Sequence, residues 1–487
     1  MKSLLLSDDP SNANRRKTKI VATLGPASRS PEQIRQLIKA GVNVFRLNFS
    51  HGTHAEHLVT LQDIRDVSAK MKEQIAILQD LSGPKIRITE VDGDYVTIPG
   101  GSTVELHTSD GSLSDDKRIY VGTLDPAKVL KAGQRVLLAD GIIELHAEEV
   151  FDHHVVCKAS KTGRIRSRVG ITFPDSDINL PATTEKDLVD MKWGVIHKVD
   201  YVAISFVQNA ADIVMLRELI KEEGGQSKIV AKIERKSALQ NIEDILTVTD
   251  GLMVARGDLG VELPFEQLPV IQKRLIEEAN YRGIPVIVAT QMLHSMITSV
   301  RPTRAEVSDI AAAVMTGTDA VMLSEETAIG EHPALAVECL GKIATEAERS
   351  FEATDYSLHS RETDFESVPD AIAYAASAAA AKIKGSVLIA PSATGATARL
   401  MAKYRPQSPL YGASSEETAL RRMCLYWGVI PIPMAFTSDS TEAEIASKAV
   451  QLHEHLPNGT VAVVTGGLSG KTPGTTSTMQ IRTMDCK

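Results

Sequence analysis

Nowhere in these 487 residues is there an apolar run of the roughly 18 to 20 residues that a membrane-spanning helix needs. Near the start, Leu4-Leu5-Leu6 is too short for the apolar core of a secretion signal, and Asp8-Asp9-Pro10 follows at once. Cysteine is scarce. Cys157, Cys339, Cys424 and Cys486 are scattered, with no C-x-x-C pair, which argues against a disulfide framework and a zinc knuckle and for a reducing compartment. A cytoplasmic location is therefore expected. Positive charge is in deficit too: a net charge of −9 makes nucleic acid and anionic membranes poor partners for the surface as a whole. An anionic substrate would need cations gathered in one place.

What is present is the composition of a soluble globular protein, 43% hydrophobic and 24% charged, in a chain long enough for more than one domain. From residue 18 a unit recurs: a short apolar β-type run, a polar loop, then an amphipathic helical pattern. The strand candidates are Lys19–Leu24, Val42–Asn48, Ile75–Asp80, Tyr201–Val207, Ile229–Glu234, Leu252–Ala255, Val286–Thr290 and Ala320–Ser324. Helix signals fall between them. Ser30-Pro31-Glu32-Gln33 reads as an N-cap, a first-turn proline and a capping-box glutamine, with Gly41 closing the helix, and Thr303–Glu306 repeats the capping box. Repeated β-then-α units point to an α/β fold, a parallel (β/α)8 TIM barrel, with a doubly wound open sheet as the alternative.

The third unit is interrupted. After Gly83-Pro84 comes a long stretch of alternating β-branched sequence without helical period, and the helix due after the third strand is delayed to Thr184–Trp193. An all-β domain over 86–179 is therefore expected, inserted between strand three and its helix at the mouth of the barrel, where a hinged lid would sit. The barrel then takes 1–85 and 180–350. From 351 to 487 a polar stretch, Thr354–Ser367, leads into a C-terminal α/β domain with strands at Ser386–Ala390, Leu410–Ala413, Val429–Pro433 and Val461–Thr465.

Polar residues cluster at the carboxyl ends of these strands: Arg46, Asn48 and Ser50 after the second, Asp80 at the third, Lys232 and Glu234 at the fifth, Arg256 and Asp258 past the sixth, Thr290 at the seventh, Ser324 and Glu326 at the eighth. Residues two apart on a strand share a face, and in a barrel these ends converge on one catalytic mouth. A single charge at a strand end is more often a salt-bridged loop residue, but so many in one mouth are costly unless used. Glu234 and Asp258, hard carboxylates without histidine or thiolate company, suit Mg²⁺ or Mn²⁺ better than zinc. Arg46, Lys232, Arg256 and Arg87 offer the cations that carboxylate and phosphate require. Gly257 lets backbone approach a ligand, and the Thr290 hydroxyl can relay a proton. Ser324 and Glu326 are expected to brace the arginines.

These motifs resemble the pyruvate kinase family. Asn43–Gly52 (NVFRLNFSHG) resembles its substrate and nucleotide loop, Lys232-Ile233-Glu234 its catalytic lysine and first metal ligand, Met253–Glu262 (MVARGDLGVE) its second metal segment, and Ala289–Met292 (ATQM) its threonine-bearing strand. The resemblance runs from about residue 16 to the end. It implies phosphoryl transfer from phosphoenolpyruvate to ADP, giving pyruvate and ATP, in a homotetramer. By resemblance, Lys232 would stabilise the phosphoryl group. Glu234 and Asp258 would hold Mg²⁺, and Arg46, Gly257 and Asp258 would contact substrate. Thr290 would lie near the carbon that is protonated, and Asn48, Phe49, Ser50, His51 and Arg87 would meet the nucleotide.

One segment departs from the family pattern. Family members that need K⁺ hold it with side chains matching Asn48, Ser50 and Asp80 and a threonine carbonyl, with a glutamate nearby. Here QDLSGPKIR puts Leu81 in place of the threonine and Lys85 in place of the glutamate. A fixed ammonium would supply the ion's charge and repel a second cation, so K⁺ is expected not to be required and Lys85 to stand in for it. In the C-terminal domain, Ser392-Ala393-Thr394-Gly395-Ala396-Thr397 follows a strand and opens a helix at Ala398–Tyr404, an anion cradle or a simple helix cap. It resembles the family's effector-phosphate loop, faced by Gly466–Thr476 with Lys471, and implies activation by a phosphorylated metabolite. The rival readings are a metal-dependent aldolase or lyase of the pyruvate-enolate type and a metabolite sensor. The first has no need of Lys232 beside the metal ligand or of a lid, and the second would have an eroded mouth.

Overall fold

A computed structural model describes residues 16–176, 178, 180–350, 365, 367–435, 444, 459–467 and 476–483. The N-terminal leucines, Cys486, most of Thr354–Ser367 and most of the Gly466–Thr476 loop, with Lys471, lie outside the described residues.

Eight strands, Lys19–Thr23, Val44–Asn48, Ala76–Asp80, Tyr201–Ile204, Lys228–Ile233, Gly251–Ala255, Val286–Ala289 and Ala320–Leu323, close into a barrel. Each pairs in parallel with its sequence neighbours, and Lys19 meets Ala320 to seal the ring, which removes the open-sheet alternative. The two faces of each strand bury different things, as the pleat requires. Ile20, Ala22, Phe45, Leu47 and Ile77 pack outward with the surrounding helices. Val21, Val44, Ala76, Leu78, Ala203, Val230, Met253, Ile287, Ala320 and Met322 fill the interior. Arg46, Asp80 and Lys232 continue the inward parity toward the carboxyl end, where the interior stops being apolar.

Most of the helix signals are used as read, although the first helix forms only the Ser30 half of its expected capping box, with no return hydrogen bond from the Gln33 side chain. Ser30 accepts from the Gln33 amide and Gly41 closes the helix Pro31–Ala40 at φ 108°. Thr303 and Glu306 cap each other's backbone ahead of Arg304–Thr316. Between the third strand and its helix, Glu185–Ile196, stand a six-stranded and a two-stranded sheet around an apolar core of their own, including Val104, Leu106, Ile119, Val136 and Ile143. Past the barrel, a five-stranded sheet runs Val429–Pro433, Leu410–Ser414, Val387–Pro391, Val461–Gly467 and Thr476–Thr483, the last antiparallel. Its polar edge strand was not expected from the sequence. The inner barrel cluster continues into Leu388, Met401, Met423 and Tyr426, so this domain plugs the amino-terminal end of the barrel and leaves the carboxyl end open. No helix among the described residues is long and apolar enough to cross a membrane.

Candidate active site

The inward parity of three strands, the second, third and fifth, brings their terminal charges into contact. Arg46 donates through Nε to Asp80 Oδ2 at 2.6 Å and through Nη1 to Thr23 at 3.0 Å. Lys232 Nζ lies 3.3 Å from Asp80 Oδ1 and 2.9 Å from Glu234 Oε1, and it donates to the Ser205 hydroxyl at 2.6 Å. The result is a buried row of alternating sign: Arg46, Asp80, Lys232, Glu234. Burial opposes ionisation of Asp80, but Lys232 and Arg46 outweigh it and hold its carboxyl below the usual range. Burial likewise opposes the Lys232 ammonium, yet Asp80 and Glu234 together raise its pKa, so it stays charged. Glu234 is pushed the other way: burial, with the charge of Asp258 adding to it, raises its carboxyl despite Lys232 and the Phe206 amide.

Two backbone irregularities aim groups into this mouth. Phe206 adopts φ 55°, and its amide donates to Glu234 Oε2 at 2.7 Å. Thr290 and Gln291 adopt φ 71° and 56°. A β-branched residue in this region is strained and persists only where its surroundings hold it. Here Arg256 does so. Its Nε donates to Ala289 O, its Nη2 to Thr290 O at 2.6 Å, and its Nη1 pairs with Asp309. The Thr290 hydroxyl accepts from the Gly257 amide at 2.9 Å. A Cβ added at Gly257 would meet the Thr290 side chain at 3.7 Å, an ordinary contact, so the two residues pack side by side.

Arg256 departs from the sequence reading. A helix, Arg256–Glu262, begins where the sixth strand ends, so strand alternation no longer applies and Arg256 turns back under Thr290 instead of facing the mouth with Asp258. Glu326 also serves differently: its carboxylate accepts from the Ser324 and Leu293 amides at 2.7 and 3.0 Å and braces loops, not arginines. Two contributors missing from the sequence reading are Ser205 and the Phe206 amide. Ser205 stands at the carboxyl end of the fourth strand, where the rule used for the other strands would have found it.

The remaining candidates are placed as follows. Asn48 accepts from the Ser50 amide at 3.1 Å, Phe49 is buried, and Ser50 and His51 are exposed on the same turn. Arg87 lies at the entry to the inserted domain and donates to Arg168 O at 2.9 Å. Leu81 is buried, and its carbonyl accepts from the Ser205 hydroxyl at 2.7 Å. Lys85 Nζ sits 2.8 Å from Asp258 Oδ1 and 3.6 Å from Asp140 of the inserted domain. Burial works against its charge, but Asp258 more than compensates and raises its pKa. In the C-terminal domain the helix opens at Ala396, two residues before the position read from sequence, behind Gly395 at φ 83°. Thr394 caps the Ala396 amide at 3.4 Å, Thr397 shares a 2.8 Å hydrogen bond with Thr476, and the Ser392 amide donates to Ala413 O.

Known proteins match the chain over almost all of its length. The family model described as pyruvate kinase, barrel domain, matches residues 15–337, and that described as pyruvate kinase, alpha/beta domain, matches residues 370–482. The pyruvate kinase of Clostridium acetobutylicum is 37% identical over 96% of this chain and all of its own length. That of Thermococcus litoralis is 39% identical over 96% of this chain and 98% of its own. The pyruvate kinase of Geobacillus stearothermophilus is 38% identical over 96% of this chain and 80% of its own. A closed parallel barrel with charges concentrated at one mouth, matched over nearly its whole length by these relatives, makes the chain a phosphotransferase that belongs to the pyruvate kinase family.

Proposed function

We propose that the chain transfers the phosphoryl group of phosphoenolpyruvate to ADP at the carboxyl-end mouth of the barrel, releasing pyruvate and ATP. The observation that carries this reading is the buried row Arg46–Asp80–Lys232–Glu234, because two cations and two carboxylates out of water are costly unless they act on a charged ligand. The transfer breaks the bond from phosphorus to the enol oxygen and forms one to a terminal oxygen of ADP. The enolate left behind takes a proton at its methylene carbon. Lys232, held charged between Asp80 and Glu234, stabilises the phosphoryl group in flight, and Arg46 fixes the anionic substrate. Thr290, held in a strained conformation with its hydroxyl accepting from the Gly257 amide and donating to the Ala289 carbonyl, would relay a proton to carbon by turning that hydroxyl toward the substrate. Asn48, Phe49, Ser50, His51 and Arg87 receive the nucleotide, and the inserted domain closes over the mouth to keep hydrolytic water out.

Glu234 and Asp258 fit a divalent cation. Both are hard oxygen donors, and burial, with the charge of Asp258 adding to it, raises the carboxyl of Glu234, a cost that such a cation would offset. When bound, Mg²⁺ or Mn²⁺ neutralises charge building up on phosphate and enolate. No cluster of three or more metal-ligating side chains occurs among the described residues, which suits a site completed by water and substrate oxygens. The donors for a monovalent cation fit poorly: both oxygens of Asp80 face Arg46 and Lys232, and the Leu81 carbonyl is taken by Ser205. The enzyme accordingly works without K⁺, with the Lys85 ammonium supplying the positive charge that K⁺ would bring. The Thr394–Thr397 cradle binds a phosphorylated activator, and the active form is a cytoplasmic homotetramer, as family membership implies.

The test is pyruvate formation from phosphoenolpyruvate by the purified protein. Turnover is expected to require ADP and Mg²⁺ and to stop on adding EDTA. Absence of ADP-dependent pyruvate formation contradicts the reading.

A further inference from the structure

The turn Asn48–His51 is short, exposed at its tip and without a helix of its own, so something outside it must fix its geometry. Its peptide unit between Phe49 and Ser50 is held at both ends. At one end the Ser50 amide donates to Asn48 Oδ1 at 3.1 Å. At the other, Lys186 Nζ donates to the Phe49 carbonyl at 2.7 Å. Because the peptide is planar, fixing its carbonyl fixes the direction of its N–H and thereby the Asn48 side chain.

Lys186 comes from the helix Glu185–Ile196, which returns the chain from the inserted domain. An exposed lysine loses side-chain entropy when it is held in one place. Here Asp190 holds it: the carboxylate is 3% exposed, meets Lys186 Nζ at 2.5 Å through Oδ2 and binds His54 Nε2 at 2.7 Å through Oδ1. Asp190 is itself immobile. Its carbonyl accepts from Gln79 Nε2 at 2.6 Å, and the helix lies so close to Gln79 that a Cβ on Gly194 would fall 1.9 Å from Gln79 Oε1. The Phe49 ring is sandwiched as well, stacked on His57 at 4.2 Å and tilted against Trp193 at 5.1 Å, while His57 donates to the His51 carbonyl at 2.9 Å. One turn earlier, Asp187 accepts from the Gly83 amide, where the chain leaves the barrel for the inserted domain.

We infer that Lys186, aimed by Asp190 and His54, is a positioning residue for the nucleoside diphosphate: it sets the Phe49–Ser50 peptide, and with it Asn48, in the conformation that receives the ADP phosphates. It touches the turn, not the nucleotide. The inference deepens the proposed reaction and rests on its assignment of this turn to ADP. It makes a selective statement, because Arg46 and Lys232, which face phosphoenolpyruvate, share no hydrogen bond with Lys186 among the described contacts.

The experiment measures KM for ADP and for phosphoenolpyruvate in the full-length protein and in Lys186→Met, Lys186→Arg and Asp190→Asn, with calorimetric ADP titration of each. Lys186→Met is expected to raise KM and Kd for ADP about ten-fold, the size of one lost charge-assisted hydrogen bond, and to move KM for phosphoenolpyruvate less than about two-fold. Lys186→Arg should restore most of the loss, since it keeps a cation within reach of the carbonyl. Asp190→Asn should repeat the selective defect. Equal rises for both substrates, or unchanged ADP affinity in Lys186→Met, would overturn the inference. Wild-type turnover tests the reaction separately: a protein that makes no pyruvate yet binds ADP more weakly as Lys186→Met refutes the reaction and leaves the positioning role standing.

Discussion

Asp80 is where two cations meet: its one carboxylate receives Arg46 on one oxygen and faces Lys232 with the other, while the neighbouring Leu81 adds apolar bulk and a carbonyl already in use. A K⁺ ion entering here would have to displace an arginine or a lysine, with little to repay its lost hydration. Turnover in Tris buffer free of K⁺ is therefore expected to match that with KCl within about two-fold, and a rise of about ten-fold or more on adding KCl contradicts the account. The types of these residues were legible because each sits at a strand end. Their partners were less so. Lys85 reads as a replacement for a cation near Asp80, yet its ammonium rests on Asp258 and Asp140, a choice set by where the chain turns into the inserted domain. The left-handed backbone at Phe206 and Thr290 carries no sequence signal at all, since neither residue type favours that conformation.

Among the elements, the eight barrel strands were legible because their apolar runs are short, β-branched and regularly followed by capped helices. The rule failed at the sixth strand. Reading Arg256 and Asp258 as a shared strand face assumed an extended chain, and the helix that starts at Arg256 turns the arginine onto Asp309 and Thr290 O. The edge strand Thr476–Thr483 escaped notice because it is polar and half exposed, so no apolar alternation marks it. In the same domain, the turn before Ala396–Lys403 supports an effector prediction. Gly395 takes φ 83° with Met423 3.1 Å from where a Cβ would be, and the Thr394 and Thr397 hydroxyls are near the helix start. A panel of sugar phosphates and nucleoside monophosphates is expected to contain an activator that lowers the half-saturating phosphoenolpyruvate concentration. Thr394→Glu should abolish that response by placing a carboxylate in the cradle. No shift with any of the panel, or an unchanged response in the variant, counts against it.

Across the whole molecule, what the sequence could not display is the docking of the C-terminal domain on the closed end of the barrel. It depends on pairs far apart in the chain. Arg405, 1% exposed, grips both oxygens of Asp319 at 2.9 Å and also reaches Asn280 and Gly317 O. Asp200 joins Arg65 and Arg421, and the Tyr201 hydroxyl donates to Arg422 O. Removing one partner of a buried pair strands the other charge, at about 3 to 5 kcal/mol. Arg405→Ala should therefore lower the calorimetric melting temperature by several degrees, and a melting temperature equal to wild type would show that the domain is held otherwise. Asp200 and Tyr201 stand at the start of the strand Tyr201–Ile204, and Ser205 just past its end meets Lys232, so one element runs from this interface to the candidate site.

Lys232 carries the central claim. The direct measurement is the rate of ADP-dependent pyruvate formation by Lys232→Met at saturating phosphoenolpyruvate, ADP and Mg²⁺, with the melting temperature recorded alongside and Lys232→Arg as the charge-retaining comparison. If the ammonium between Asp80 and Glu234 stabilises the phosphoryl group in transfer, the methionine variant should lose about a thousand-fold or more in kcat while still binding phosphoenolpyruvate, and the arginine variant should keep more activity than the methionine one. A folded Lys232→Met protein with kcat within about ten-fold of wild type would contradict the account.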